Sequence, residues 1–211
     1  MPTAYLIRHG QASFGADDYD VLSPTGEHQS KVVGEELRRR DVRVDKVCSG
    51  TLRRHRGTAA ACLSVAGVDL PVVEDPRWNE YDHLELVQHS VDRPLSTREF
   101  QALLEESLLG WMTGGGTGWP AFRDGACAAL DELFAGLGKG GTVLVFTSGG
   151  VISAICTVLL GLPPQGFLAL NRTMVNASLT KLVLGRSGTS LVSWNEQAHF
   201  EGANRELLSY R

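Results

Sequence analysis

The run Thr142-Val143-Leu144-Val145-Phe146-Thr147 constrains the fold more than any other segment. Six β-branched or apolar side chains in a row read as a buried strand. Gly149-Gly150 then turns it directly into an apolar helix, Val151 to Leu160. The same alternation recurs along the chain. Ala4 to Arg8 reads as a short buried strand. Ser23-Pro24 opens a helix, with Ser as cap and Pro at the first helical position. Val33 and Leu37 give that helix an apolar side, and Arg38-Arg39-Arg40 favour its negative C-terminal end. Val44 to Cys48 is a strand, Leu52 to Ala66 a helix closed by Gly67, and Leu70 to Val73 a brief strand. Thr97 to Leu109 is helical, and so is Ala121 to Leu137 after Pro120. Ala177 to Leu184 and Ser190 to Trp194 are strands joined through Gly185 to Gly188. The pattern predicts a single α/β domain over residues 1–211, a three-layer sandwich whose mostly parallel central sheet is flanked by helices. Ligands of such sheets sit beyond the carboxyl ends of the strands. The loops after Arg8, after Cys48 and after Thr147 are therefore expected to meet.

Composition narrows the partners. The 211 residues suffice for one sizeable core, and 43% hydrophobic with 21% charged residues excludes a wholly disordered chain. A formal charge of -4 gives no overall drive toward nucleic acid or an anionic membrane. Only four of the 20 cations are Lys. Arg carries a rigid two-pronged fork that suits phosphate and carboxylate, so the question is what the arginines hold. No apolar run approaches the roughly 18 residues of a spanning helix, and Arg8-His9 interrupts the N-terminal apolar stretch. A soluble, cytoplasmic protein is the expectation. Cys48, Cys62, Cys127 and Cys156 contain no C-x-x-C pair and read as buried free thiols. The glycine-rich run Thr113 to Gly118 lacks the spacing and Lys of a phosphate-binding loop and reads as a linker, flanked by Trp111 and Trp119, which read as core.

Three loops carry candidate chemistry. In the first, His9 follows a hydrophobic strand between Arg8 and Gly10. Arg8 supplies a permanent positive charge, and Gly10 lets the backbone turn and a ligand approach. In the second, Arg53, Arg54 and Arg56 crowd the first turn of a helix, against its macrodipole. Arg53 and Arg56 read as a solvated face, and a bound anion would relieve the conflict. In the third, Arg77-Trp78-Asn79-Glu80-Tyr81-Asp82-His83 puts carboxyl groups beside aromatic rings, where desolvation raises a pKa toward that of a general acid. Glu80, Asp82 and Glu85 are the rivals for that role.

Together these motifs resemble the histidine phosphatase, or phosphoglycerate mutase-like, superfamily. Leu6-Ile7-Arg8-His9-Gly10 looks like its signature. Leu22 to Gln29 is similar to its L-T-x-x-G-x-x-Q helix opening, and Leu52 to Ala59 to its S-x-L-x-R-A-x-x-T-A segment. Counting back from Thr58-Ala59 places Arg54 on the second phosphate-binding Arg. Trp78-Asn79-Glu80 resembles the segment with the acid, which selects Glu80. The resemblance implies that His9 attacks phosphorus and becomes a phosphohistidine. Arg8 and Arg54 clamp the phosphoryl oxygens, and Glu80 serves as acid and then base. No metal or other cofactor is implied. Asn176 to Thr180 and Trp194 to His199 resemble the closing strands and take scaffold roles, while His28 and His89 read as surface residues.

Two departures mark this sequence. Ser148 stands in Thr147-Ser148-Gly149-Gly150 where the resemblance expects a second His. Ser148 and the N–H of Gly149 can bind phosphate, and Ser148 can cap the following helix, but a hydroxyl cannot carry positive charge. His55, His83 and His199 are candidate replacements, and nothing in the sequence places them in the pocket. Gly15 stands where mutase-like members often have Asn. The expectation is a metal-independent phosphomonoesterase acting on a small phosphorylated substrate. The alternatives are a mutase-type phosphoryl transfer or a catalytically weakened phospho-ligand-binding protein. No heptad or long apolar stripe specifies an oligomeric state.

Overall fold

The computed structural model describes residues 1–13, 20–82, 86–87 and 97–210. His83, Glu85, His89 and Gly15, singled out above, lie outside the described residues. The six-stranded mixed sheet is built on β1 (Thr3–Arg8) and β4 (Thr142–Thr147), paired in parallel with Arg8 opposite Thr147. β2 (Lys46–Ser49) lies parallel to β4, and β3 (Val72–Glu74) lies parallel to β2 at the edge. On the other side β5 (Leu179–Gly185) runs antiparallel to β1 and forms a hairpin with β6 (Gly188–Glu196). The order is β3-β2-β4-β1-β5-β6.

The alternation of side chains along β1 and β4 divides the core into two layers. Ala4, Leu6, Val143 and Val145 face α4 (Gly118–Ala135) and α5 (Gly149–Leu160), meeting Ala126, Leu130, Leu133, Ile152 and Ile155. Tyr5, Ile7, Leu144 and Phe146 face α1 (Pro24–Arg39) and α2 (Arg53–Ala66), meeting Val33, Leu37, Ala59, Cys62 and Leu63. β4 is apolar throughout because both of its faces are covered. α3 (Thr97–Thr113) and α6 (Pro164–Thr173) pack beside α5 around a third cluster of Leu108, Trp119, Ala154 and Phe167.

The expected elements recur with shifted ends. Ser23 caps α1, its hydroxyl accepting from Gly26 N–H at 3.1 Å, and Gly67 closes α2 in the left-handed conformation. α4 starts at Gly118, so Pro120 lies inside its first turn, where a missing N–H breaks no helical bond. Gly149 and Gly150 belong to α5 itself. β5 begins at Leu179 instead of Ala177, because Ala177 has φ 53° and cannot extend a strand. α6 was not foreseen. Besides complementing the helix end, Arg40 bridges Glu36 and Glu196 at 2.7 and 2.6 Å, while Arg39 also grips Glu36. Cys48, Cys62 and Cys156 are buried free thiols and Cys127 is half-buried; burial pushes Cys62 and Cys156 up to about 12. No helix among the described residues is long and apolar enough to cross a membrane.

Gly10 has a structural reason beyond turning the chain. A Cβ on Gly10 would lie 2.3 Å from the carbonyl oxygen of Gly26, and one on Gly26 would lie 2.1 Å from that of Gln11. The start of α1 is thus docked on the loop after β1 backbone to backbone. Gly26→Ala should force these backbones apart at a cost of about 3 kcal/mol. That lowers the melting temperature by roughly 6–12 °C in a domain of this size. Calorimetry showing an unchanged melting temperature would refute this close docking.

Candidate active site

Parallel pairing brings the ends of β2, β4 and β1 to one side of the sheet. Gly50 N–H donates to Phe146 C=O at 3.0 Å and His9 N–H to Thr147 C=O at 2.9 Å, so the three expected loops do meet. Beyond them lies a cavity of about 160 Å³. Arg8, His9, Arg54 and Glu80 line it, and Phe100, Leu104, Leu108 and Leu168 give it an apolar portion.

His9 is buried, and its Nδ1 lies 2.8 Å from the carbonyl oxygen of Gly10. A carbonyl only accepts, so Nδ1 carries the proton and Nε2 carries the lone pair. Burial, reinforced by the charges of Arg54 and Arg8, holds this imidazole well below its ordinary pKa, in the neutral form. The loop around it is fixed at several points. Gly10 N–H donates to Thr58 Oγ1 at 3.0 Å, and Thr58 donates in turn to Arg54 C=O at 2.7 Å. Gln29, fully buried on α1, accepts from Gln11 N–H at 2.8 Å and donates to Leu207 C=O at 2.6 Å.

Arg8 donates through Nη1 to the carbonyl oxygens of Met174 and Tyr210. Arg54 is held by Asp20, Nη1 to Oδ1 at 2.7 Å. The second oxygen of Asp20 accepts from Arg53 N–H at 2.8 Å, so this carboxylate relieves the charge conflict at the start of α2. Arg56 pairs with Glu74 at 2.9 Å on the surface.

Glu80 is positioned by its neighbours in sequence. Trp78 is buried in the core and its carbonyl accepts from Thr147 Oγ1 at 2.6 Å. Asn79 exchanges two 2.7 Å hydrogen bonds with Thr51. Arg77 ties the turn to Asp75 and to Glu132 of α4. The Glu80 carboxylate then accepts from Gly150 N–H, in the first turn of α5, at 3.1 Å. Burial pushes its pKa up, and the helix N–H and the two arginines only partly oppose that. Asp82 does not line the cavity.

Ser148 occupies the N-cap position of α5, but its hydroxyl makes no capping bond. It is fully buried, does not line the cavity, and lies 2.7 Å from His55 Nε2. Gly149 packs behind Arg8: a Cβ there would sit 3.4 Å from Arg8 Nε. His199 is buried elsewhere, against Ala177 C=O and the Phe200 ring, and His28 is exposed. Asn176, assigned above to scaffold, lines the cavity and donates to His9 C=O at 3.4 Å. Tyr81, whose hydroxyl accepts from Asn171 at 3.1 Å, also lines it. Trp111 and Trp119 stack edge to face beneath this region.

A model of the histidine phosphatase superfamily (branch 1) matches residues 4–197. A mycobacterial structure, hydrolase 1, is 27% identical with a TM-score of 0.71, over 93% of this chain and 99% of that one. A mycobacterial glucosyl-3-phosphoglycerate phosphatase in complex with VO3 is 25% identical with a TM-score of 0.70, over 92% and 99% of the two chains. A 2,3-bisphosphoglycerate-dependent phosphoglycerate mutase of Cytophaga hutchinsonii is 30% identical over 92 residues. That stretch is 41% of this chain and 42% of the mutase, so the chain spans less than half of that relative.

The raised pKa of Glu80 makes a stability prediction. Its ionised form is the one the fold disfavours. The stability carried by the protonated carboxyl is therefore present below the unfolded pKa and lost as pH rises through the raised folded value. Glu80→Gln cannot ionise. Urea titrations at several pH values should show the variant gaining on the wild type as pH rises above the ordinary carboxyl range. A stability difference independent of pH would contradict the assignment.

Proposed function

We propose a function from the premise that this chain belongs to the histidine phosphatase superfamily: it is a phosphomonoesterase that works through a phosphohistidine, with no metal in the chemical step. One observation carries the reading. The neutral His9 donates its Nδ1 proton to Gly10 C=O, which leaves Nε2 as a lone pair in the cavity shared with Arg8, Arg54 and Glu80.

Nε2 attacks phosphorus, the P–N bond forms and the ester P–O bond breaks. Glu80, whose protonated form burial favours, gives its proton to the departing alkoxide. Arg8 and Arg54 hold the phosphoryl oxygens and balance the charge that develops on them. Water then attacks the phosphoimidazole, Glu80 takes the water's proton, the P–N bond breaks and inorganic phosphate leaves. His9 returns to its neutral form. Ser148, enclosed against His55, stands outside the set that contacts phosphate.

The apolar portion of the cavity wall supports hydrolysis over a mutase reaction. Phe100, Leu104, Leu108 and Leu168 suit an apolar leaving group, and Arg172 at the rim is engaged by Glu105 at 2.8 Å. A phosphoglycerate would bring a carboxylate to that wall. The mutase reading rests on the partial likeness to the Cytophaga hutchinsonii protein.

Turnover of p-nitrophenyl phosphate with and without EDTA tests the proposal. The wild type should hydrolyse it equally well in both, and faster than 3-phosphoglycerate. His9→Ala should lose about a thousandfold or more. Equal rates in the variant, loss of activity with EDTA, or conversion of 3-phosphoglycerate to its isomer would each overturn it.

A further inference from the structure

His55 has no part in the chemistry above, yet it is fully buried beside it. Its ring centroid is 5.6 Å from that of His9, with the planes tilted by 37°. Nε2 lies 2.7 Å from Ser148 Oγ, across 93 positions of sequence. Nδ1 has no hydrogen-bond partner among the described residues. It rests on Gly50, where a Cβ would come within 2.2 Å of it. The site is thus shaped to this ring: only a glycine at position 50 leaves room for it.

The Ser148 hydroxyl is turned toward His55 Nε2 and away from the N–H groups of its own helix, which it leaves uncapped. The bond ties the first turn of α2, which carries Arg54, to the first turn of α5, which carries Gly150 and through it Glu80. The ring of His55 lies against that of His9 within that tie.

We propose that His55, anchored by Ser148, is the positioning residue of the nucleophile: its ring backs the His9 imidazole and keeps it in the orientation that donates Nδ1–H to Gly10 and turns Nε2 into the cavity. This rests on the phosphatase reading for its consequence in catalysis, but the geometry it asserts can be measured without turnover. A nucleophile loosened by about 1 Å loses on the order of 100-fold in rate, since attack depends on alignment.

The experiment pairs nitrogen-15 NMR of the His9 imidazole with steady-state kinetics on p-nitrophenyl phosphate. In the wild type His9 should show one tautomer, with the proton on Nδ1. His55→Ala should give a tautomer mixture at His9 and lower kcat about 100-fold with KM little changed. Ser148→Ala opens no cavity at position 55 and removes only the anchor. It should move the same two signals the same way, with a kcat loss of about tenfold. His55→Gln keeps a hydrogen-bonding group toward Ser148 and should restore most of the loss. A folded His55→Ala or Ser148→Ala protein with the wild-type His9 tautomer would overturn the proposal. So would a His55→Ala effect confined to KM. If the wild type turns nothing over while its His9 signal still responds to His55, the phosphatase reading fails and the positioning role stands.

Discussion

The site depends on one register, the parallel pairing of β1 with β4 that sets Arg8 opposite Thr147. Because both strands end at the same level, the residues that follow them, His9 and Ser148, leave the sheet side by side. His9 N–H closes the ladder on Thr147 C=O, and Thr147 Oγ1 holds the Trp78 carbonyl two residues before Glu80. A slip of one residue would exchange the two cores, burying Tyr5 and Ile7 where Ala4 and Leu6 belong. The hydrophobic pattern of two strands therefore fixes the spacing of His9 and Glu80.

The same burial sets the charge states. Removing an imidazole from water beside two guanidinium groups keeps it neutral, and removing a carboxyl from water favours its protonated form. The proposed roles need these states, a neutral imidazole for attack and a protonated carboxyl for acid catalysis. The Arg-rich composition splits along the same line. Arg8 and Arg54 face the cavity, whereas Arg39, Arg40 and Arg77 hold carboxylates that fasten helix ends and turns.

Much of this was legible in the sequence where a local rule decides the outcome. The run from Thr142 to Thr147 gave a strand with the expected ends, and Ser23-Pro24 gave a capped helix start, since sequence neighbours alone determine both. α6 was missed because it is short, contains Gly166 and buries only Phe167; its packing against α5 and α3 supports it. Asn176 was not legible as a site residue, and His55 was one of three candidate histidines that the sequence could not place in the pocket. Asn176 reaches the cavity because Ala177 takes a left-handed turn, and His55 meets Ser148 only once two helices are docked. Neither contact leaves a periodicity or a motif. The carbonyl that sets the His9 tautomer is likewise a backbone group, which no side-chain pattern reports.

The central claim is that the phosphoryl group visits His9 on its way to water. The stereochemical course at phosphorus reads this directly, using an isotopically chiral phosphate ester and an alcohol acceptor. Two in-line displacements, onto His9 Nε2 and off it, each invert the centre, so the account predicts net retention. Net inversion would mean a single direct attack by the acceptor and would contradict it.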